Sequence, residues 1–182
     1  LDFSTETILI SPSKLSQTKS GLSATSSSSY GYFGGGYFTP VATRYSTIDR
    51  LDFSTETVST PTPKLSSSRN LLTSTSSSSY GYFAGGFVPP FVNTIDRLDF
   101  STETTASPGT YQLSQTRAAL ASVSSSSYGY FAGGAISPTN SINTIDRLDF
   151  FTETVTVPTP KLSQSRGYIQ ATSSSSFGYF GG

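Results

Sequence analysis

Cysteine, histidine, methionine and tryptophan are all absent from this chain of 182 residues. Without cysteine no disulfide braces the fold. Without cysteine or histidine the usual zinc, haem and thiol chemistries are excluded. Charge is sparse too: 12% of residues are charged, and 11 basic residues offset 11 acidic ones. A net charge of zero leaves no electrostatic footprint for nucleic acid or an acidic membrane. No apolar run approaches the roughly 18 residues of a membrane span, and no secretory signal is visible. No Asn-x-Ser/Thr acceptor occurs. The chain opens at Leu1 rather than Met, which reads as a processed product or a segment of a longer polypeptide.

Serine, threonine, glycine and aromatics are abundant instead, and they are arranged in repeats. LDFSTET begins at Leu1, Leu51 and Leu98, and LDFFTET at Leu148. Each copy is followed by a serine run and an aromatic–glycine phrase: YGYFGG at Tyr30, YGYFAGG at Tyr80 and Tyr128, and FGYFGG at Phe177. A spacing of 47 to 50 residues between copies signals a repeat architecture, in which one supersecondary unit recurs.

The second copy serves as the reference unit. A basic residue (Lys19, Arg69, Arg117, Arg166) is followed three positions on by an aliphatic one (Leu22, Leu72, Leu120, Ile169). Two positions later comes a small one (Ala24, Ser74, Ser122, Ala171). This pattern predicts a first, buried strand over 68–74. The serine run then forms a turn. Residues 80–86 read as a second strand, whose central glycine admits a close neighbour and whose Gly-Gly end permits positive φ. A divergent Pro/Gly loop follows. Residues 94–100 read as a third strand with imperfect alternation, so a bulge or twist is expected. A polar turn leads to a fourth strand over 57–60, confined to an edge by Pro61 and Pro63. Four short antiparallel strands per unit describe a propeller blade.

This order of parts resembles the kelch repeat: a hydrophobic strand ending in Gly-Gly, a variable loop, a strand like the family's VxxYDP region at 95–100, then a turn and an edge strand. The resemblance covers the whole chain. One departure stands out, since the family usually has a tryptophan after the turn, near Val58, Thr105 and Val155 here. The phrases TIDRLDFSTET and SSSSYGYFGG also resemble kelch-like repeats in structural proteins of marine tailed phages, which implies a virion appendage.

The expected fold is all-β: one domain over 1–182, a four-bladed β-propeller whose N-terminal third and fourth strands complete the C-terminal blade. The alternative is a segment of a larger propeller. Closure of that kind protects sheet edges.

Residues with chemical potential are read within this frame. Asp49, Arg50, Asp52 and Glu56 recur as Asp96, Arg97, Asp99 and Glu103, and as Asp146, Arg147, Asp149 and Glu153. A glycosidase needs two carboxylates whose environments push their pKa values apart. Identical repetition gives identical environments, so ion pairing and turn capping are the expected roles. Lys19, Arg69, Arg117 and Arg166 are expected to pair with acids of their own or a neighbouring unit. The repeated Tyr and Phe residues are expected in packing. The divergent loops at 37–45, 87–92 and 135–142 are the candidate contact surface, through Tyr37, Phe38, Tyr45, Phe87, Phe91 and Ile136.

The sequence therefore reads as a non-enzymatic structural or binding module, on a virion or at an extracellular surface. It takes no cofactor. Its expected partners are structural protein subunits or a cell-surface receptor or glycan, with a homo-oligomer as a further possibility; nucleic acid and membrane insertion are not expected. The alternatives are a lectin or glycan-active propeller, and a Ser/Gly/Tyr-rich fibre.

Overall fold

The computed structural model describes all residues except Leu9, Pro108 and Thr110. It is all-β apart from one 3-10 turn at Thr39–Val41. The strands are β1 (Ser23–Ser26), β2 (Tyr30–Gly34), β3 (Tyr37–Phe38), β4 (Thr43–Arg44), β5 (Ile48–Asp52), β6 (Val58–Ser59), β7 (Thr73–Ser76) and β8 (Tyr80–Ala84). They continue as β9 (Ile95–Asp99), β10 (Thr105–Ala106), β11 (Ala121–Ser124), β12 (Tyr128–Ala132), β13 (Ile145–Asp149), β14 (Val155–Thr156), β15 (Gln170–Ser173) and β16 (Gly178–Gly181). Among the described residues no helix is long and apolar enough to cross a membrane.

Three repeats each form a four-stranded antiparallel sheet, in the orders β1-β2-β5-β6, β7-β8-β9-β10 and β11-β12-β13-β14. The fourth repeat contributes the two-stranded sheet β15-β16, and β3-β4 is a small hairpin within a loop. The proline-bounded strands β6 and β14 lie at sheet edges, as does β10.

Two local expectations change. The first strand begins at Thr73 rather than near Arg69. Leu71 sits at φ 55° and the Arg69 side chain turns inward to Asp96, so this stretch cannot run extended. Of the bulge or twist expected in the third strand, the bulge is absent. Five consecutive pairs join β8 to β9, from Tyr80↔Asp99 to Ala84↔Ile95. The charges that break the alternation are engaged instead, Asp96 by Arg69 and Arg97 by Glu153.

The cores lie between consecutive sheets. Tyr32 and Ile48 of the first sheet meet Leu72, Phe83 and Leu98 of the second. Tyr82 and Ile95 of the second meet Leu120, Phe131 and Leu148 of the third. The contact is close because Gly81 has no side chain: a Cβ there would meet the Thr25 methyl at 2.8 Å and the Phe100 ring at 3.1 Å. The Phe100 ring stacks on Tyr32 (5.3 Å, 11°), and Phe150 stacks on Tyr82 (5.3 Å, 10°).

Polar contacts accompany each stack. Glu103 accepts from the Tyr32 hydroxyl (3.2 Å) and from Arg50 (2.7 Å); Glu153 accepts from Arg97 (2.5 Å). Backbone bonds repeat the link. The Gly36, Gly86 and Gly134 amides donate to the Arg69, Arg117 and Arg166 carbonyls, each at 2.9 Å. The Leu71 amide donates to the Gly21 carbonyl, Ala119 to Leu71 and Tyr168 to Ala119, at 2.7–2.8 Å.

The first strands face one another across this array. Ser23 and Ser74 hydroxyls meet at 2.7 Å, and Thr73 and Ser122 at 2.8 Å. A cavity of about 340 Å³ is lined by residues of all four repeats, among them Ser23, Thr73, Ser122 and Gln170.

The N-terminal LDFSTET does not complete the fourth sheet. Its bridge joins Asp2 to Thr7 across its own turn, and Ser13 donates its hydroxyl to the Glu56 carbonyl on the first sheet's turn. In the first sheet Ile48, Asp49 and Arg50 pair with Gly34, Phe33 and Tyr32. Asp2 instead turns its carboxylate onto the Ser4 and Thr5 amides and donates its own amide to the Thr7 carbonyl, so the segment closes on itself.

Two expected outcomes follow from this packing. Gly85 has φ +65°, and a Cβ there would lie 2.6 Å from the Arg117 carbonyl. Gly85→Ala should therefore destabilise the protein by more than the roughly 1–2 kcal/mol of a left-handed conformation alone, measured by urea unfolding. The second outcome concerns alkali. Burial, then the Glu103 charge, push the Tyr32 phenol up to about 12. Burial and Glu153 do the same to Tyr111, to about 12. Unfolded phenols ionise near pH 10, so the folded form keeps protons the unfolded form has lost. Stability should be intact below pH ~10 and fall as pH rises through about 12. With no tryptophan present, tyrosinate absorbance should rise together with loss of circular dichroism; phenols that titrate normally in a folded chain would contradict it.

Candidate functional site

Antiparallel topology sorts the connections onto two faces. One carries the serine turns and the FSTET turns. The other carries the divergent loops between the second and third strands of each repeat.

The turns are locally determined. The Ser27 hydroxyl accepts from the Tyr30 amide at 3.0 Å, and Ser77, Ser125 and Ser174 do the same in the later repeats. Asp52 accepts from the Ser54 amide (2.8 Å), the Ser54 hydroxyl (2.6 Å) and the Thr55 amide (3.2 Å). Asp2 and Asp99 cap identically, and Asp149 caps through the amides of Phe151 and Thr152. Hydrogen bonds from Ser54, Ser101 and Thr152 hold Asp52, Asp99 and Asp149 below the usual carboxylate range. Glu6, Glu56, Glu103 and Glu153 all take φ of 52–54° at the end of this turn.

The remaining charges form buried pairs. Lys19 meets Asp49 at 3.1 Å, Arg69 meets Asp96 at 2.9 Å and Arg117 meets Asp146 at 2.8 Å, all within one repeat and shielded from solvent. Burial opposes ionisation of Asp49, but hydrogen bonds from Ser16 and Lys19 and the Lys19 charge win and hold it low. Burial depresses Arg69 and Arg117, and their aspartates partly offset it. Arg69 and Arg117 also donate to the Phe83 and Phe131 carbonyls, both at 3.1 Å. Arg166 has no carboxylate within pairing distance among the described residues and donates to the Gly182 carbonyl at 2.7 Å. Arg147 has no carboxylate within pairing distance among the described residues; it lies over the Tyr128 ring at 4.8 Å.

The loop residues cluster rather than project separately. Tyr37 and Ser20 exchange backbone hydrogen bonds, which ties the β3-β4 hairpin to the approach to β1. Asn70 with Phe87, and Ala118 with Ala135, repeat the tie. Arg44 lies over Tyr37 at 5.1 Å and over Phe87 at 4.7 Å, and donates Nε–H to Asn70 Oδ1 at 3.1 Å. Phe87 packs on Phe91 at 5.2 Å. Tyr37, Phe38, Tyr45, Phe87 and Phe91 are therefore half-buried, where free projection into solvent is the simple expectation for loop aromatics. Ile136 sits in the third loop, 38% exposed, with its amide bonded to the Asn140 carbonyl. The first two loops are stitched into one aromatic patch around a guanidinium, and the third stands beside its own turn.

Three residues were not singled out by sequence. Arg44 organises the patch, and its signal is that it is the one basic residue in any of the divergent loops. Phe151 is 96% exposed on the opposite face, where the other copies have Ser4, Ser54 and Ser101. Tyr111 is fully buried where the second repeat has Pro63. On the turn face, two equivalent clefts of about 400 Å³ and 410 Å³ lie between successive serine turns. Phe100 and Phe150 form part of their walls. Comparison with known protein families and with curated proteins finds no match for this chain.

The two kinds of ion pair should differ in weight. Asp146→Asn leaves Arg117 charged and buried, and should cost roughly 3–5 kcal/mol. Glu153→Gln disturbs a pair that is one-quarter exposed, and should cost about 1 kcal/mol. Urea unfolding of both variants measures the difference, and equal losses would contradict this assignment.

Proposed function

We propose that this chain is a non-enzymatic assembly or recognition module. In this reading its repeats are blades of a β-propeller, the fourth half-built, and its divergent loops contact another macromolecule. One contrast carries the reading. The scaffold positions recur in repeat after repeat, whereas the loops differ in length and chemistry. They gather Tyr37, Arg44, Phe87 and Phe91 into a patch spanning two repeats. Tyrosine, phenylalanine and arginine are the side chains enriched in protein contacts, and a rigid scaffold beneath variable loops suits recognition.

The carboxylates support the non-enzymatic reading. Asp49, Asp96 and Asp146 are tied up with buried cations, and Asp52, Asp99 and Asp149 cap their own turns. A general acid needs a carboxyl group within reach of substrate. The partner is a structural protein subunit or a cell-surface receptor. The setting is a virion appendage, such as a tail fibre or decoration protein, or another extracellular surface; this part rests on the likeness of the repeat wording. The serine- and tyrosine-lined clefts of the turn face favour a second reading, a lectin.

Cryo-electron microscopy of the native particle bearing this protein tests the choice. The loop face should lie against a neighbouring subunit, and Phe87→Ser should weaken incorporation without loss of folding. A loop face open to solvent, with glycan density in the turn-face clefts, would sink the assembly reading and leave the lectin.

A further inference from the structure

We propose, on the reading that the loop face is the contact surface, that its partner is an acidic protein surface and that one carboxylate of it seats on the Arg44 guanidinium. The chemistry of the partner is thereby an aspartate or glutamate carried among apolar side chains.

A net charge of zero conceals a segregation of charge. All 11 acidic residues lie in the TIDRLDF phrases and the turns that follow them; none lies in the divergent loops or in the crossings that lead to the next first strand. Asp49, Asp96, Asp146, Glu103 and Glu153 are consumed in ion pairs. Every other acid sits in one of the turns: Asp2, Glu6, Asp52, Glu56, Asp99 and Asp149. A cation on the loop side has no acid of its own loops to pair with.

Cations do stand there. The crossing into the second repeat runs beside the end of the first loop. The Leu65 amide donates to the Ser46 carbonyl at 2.8 Å, and the Arg69 amide to the Tyr45 carbonyl at 3.2 Å. Arg44 lies on this strip, as does Lys64, which is exposed and bridged to Thr47. Lys161 is exposed beside the end of the third loop, where the Leu162 amide donates to the Asn143 carbonyl at 2.9 Å.

Arg44 is the cation held in a fixed pose. Its guanidinium lies 4.7 Å from the centre of the Phe87 ring and 5.1 Å from that of Tyr37, and its Nε–H is spent on Asn70 Oδ1 at 3.1 Å. Among the described residues its Nη groups make no hydrogen bond, and no carboxylate is within pairing distance. Elsewhere in the chain the same atoms take carboxylates: Arg50 gives Nη1 to Glu103 at 2.7 Å, and Arg117 gives Nη2 to Asp146 at 2.8 Å. A planar fork matches the two oxygens of a carboxylate, and a side chain already fixed loses little freedom on binding. The surroundings favour a protein acid over an acidic sugar. Phe87 is packed against Arg44 and Phe91, and Tyr37 against Arg44, so neither ring is a free platform for a sugar. Val41, in the turn between β3 and β4, is 64% exposed and offers apolar contact nearby.

Titration of the isotope-labelled chain with poly-L-glutamate, followed by amide NMR, tests this. The Arg44 Nε–H and the amides of Asn70 and Phe87 should shift, those of the serine turns should not, and added salt should weaken binding. Arg44→Gln should weaken it about tenfold or more. Arg44→Lys keeps the charge and loses the fork, so its affinity should fall between the two. Unchanged strand resonances in each variant separate lost contact from lost folding. Poly-L-glutamate that shifts nothing, that binds either variant as it binds the native chain, or that is outdone by hyaluronate would overturn the proposal. The native particle separates the two readings. A loop face seated on a neighbour with no carboxylate at Arg44 overturns the acidic seat and leaves the assembly reading standing; a loop face open to solvent overturns both.

Discussion

The rings of Tyr32 and Tyr82 are each covered by a phenylalanine from the following sheet. Among the described residues no sheet closes its own core, because both large apolar clusters form where two repeats meet. The rest of the structure depends on that constraint. Glycine stands mid-strand so that sheets can approach. The turn glutamates adopt positive φ at the end of capped turns; in two of these turns Phe100 and Phe150 stack on the preceding repeat, and Glu103 and Glu153 reach back to it. Stability in such an array is shared between units and their interfaces.

The buried charges serve the same end at a different place. Arg69 and Arg117 link the approach to the first strand with the third strand of their own sheet, and their carbonyls receive amides from the preceding one. A guanidinium can satisfy several acceptors at once, which is what makes its burial tolerable. Lys19 fills the same place in the first repeat with fewer donors and adds a bond to Thr47 at 3.5 Å.

Much of this was legible because repetition makes a pattern visible several times. The strands ending in Gly-Gly, the proline-bounded edge strands and the serine turns follow from residue type and position. Local patterning misplaced the first strand, because Leu71 takes a left-handed conformation that only the neighbouring Gly21 carbonyl explains. The half-buried state of Phe87 and Tyr37 was likewise hidden, since Arg44 faces Tyr37 across the β3-β4 hairpin and reaches Phe87 in the next repeat. Completion of the last sheet by the first residues looked natural from matching phrases. The structure instead leaves β15-β16 two-stranded and bridges Asp2 to Thr7 within the first turn.

Repeats of one kind meet here through one kind of contact. The measurement that tests this most directly is amide hydrogen exchange, resolved by residue, on the isolated chain. The amides of Gly86, Ala119 and Gly134 bond only across repeats. They should exchange as slowly as those of β8 and β12, with one shared free energy of opening. Fast exchange at those three positions, with the strands still protected, would show sheets that stand alone and would contradict the account.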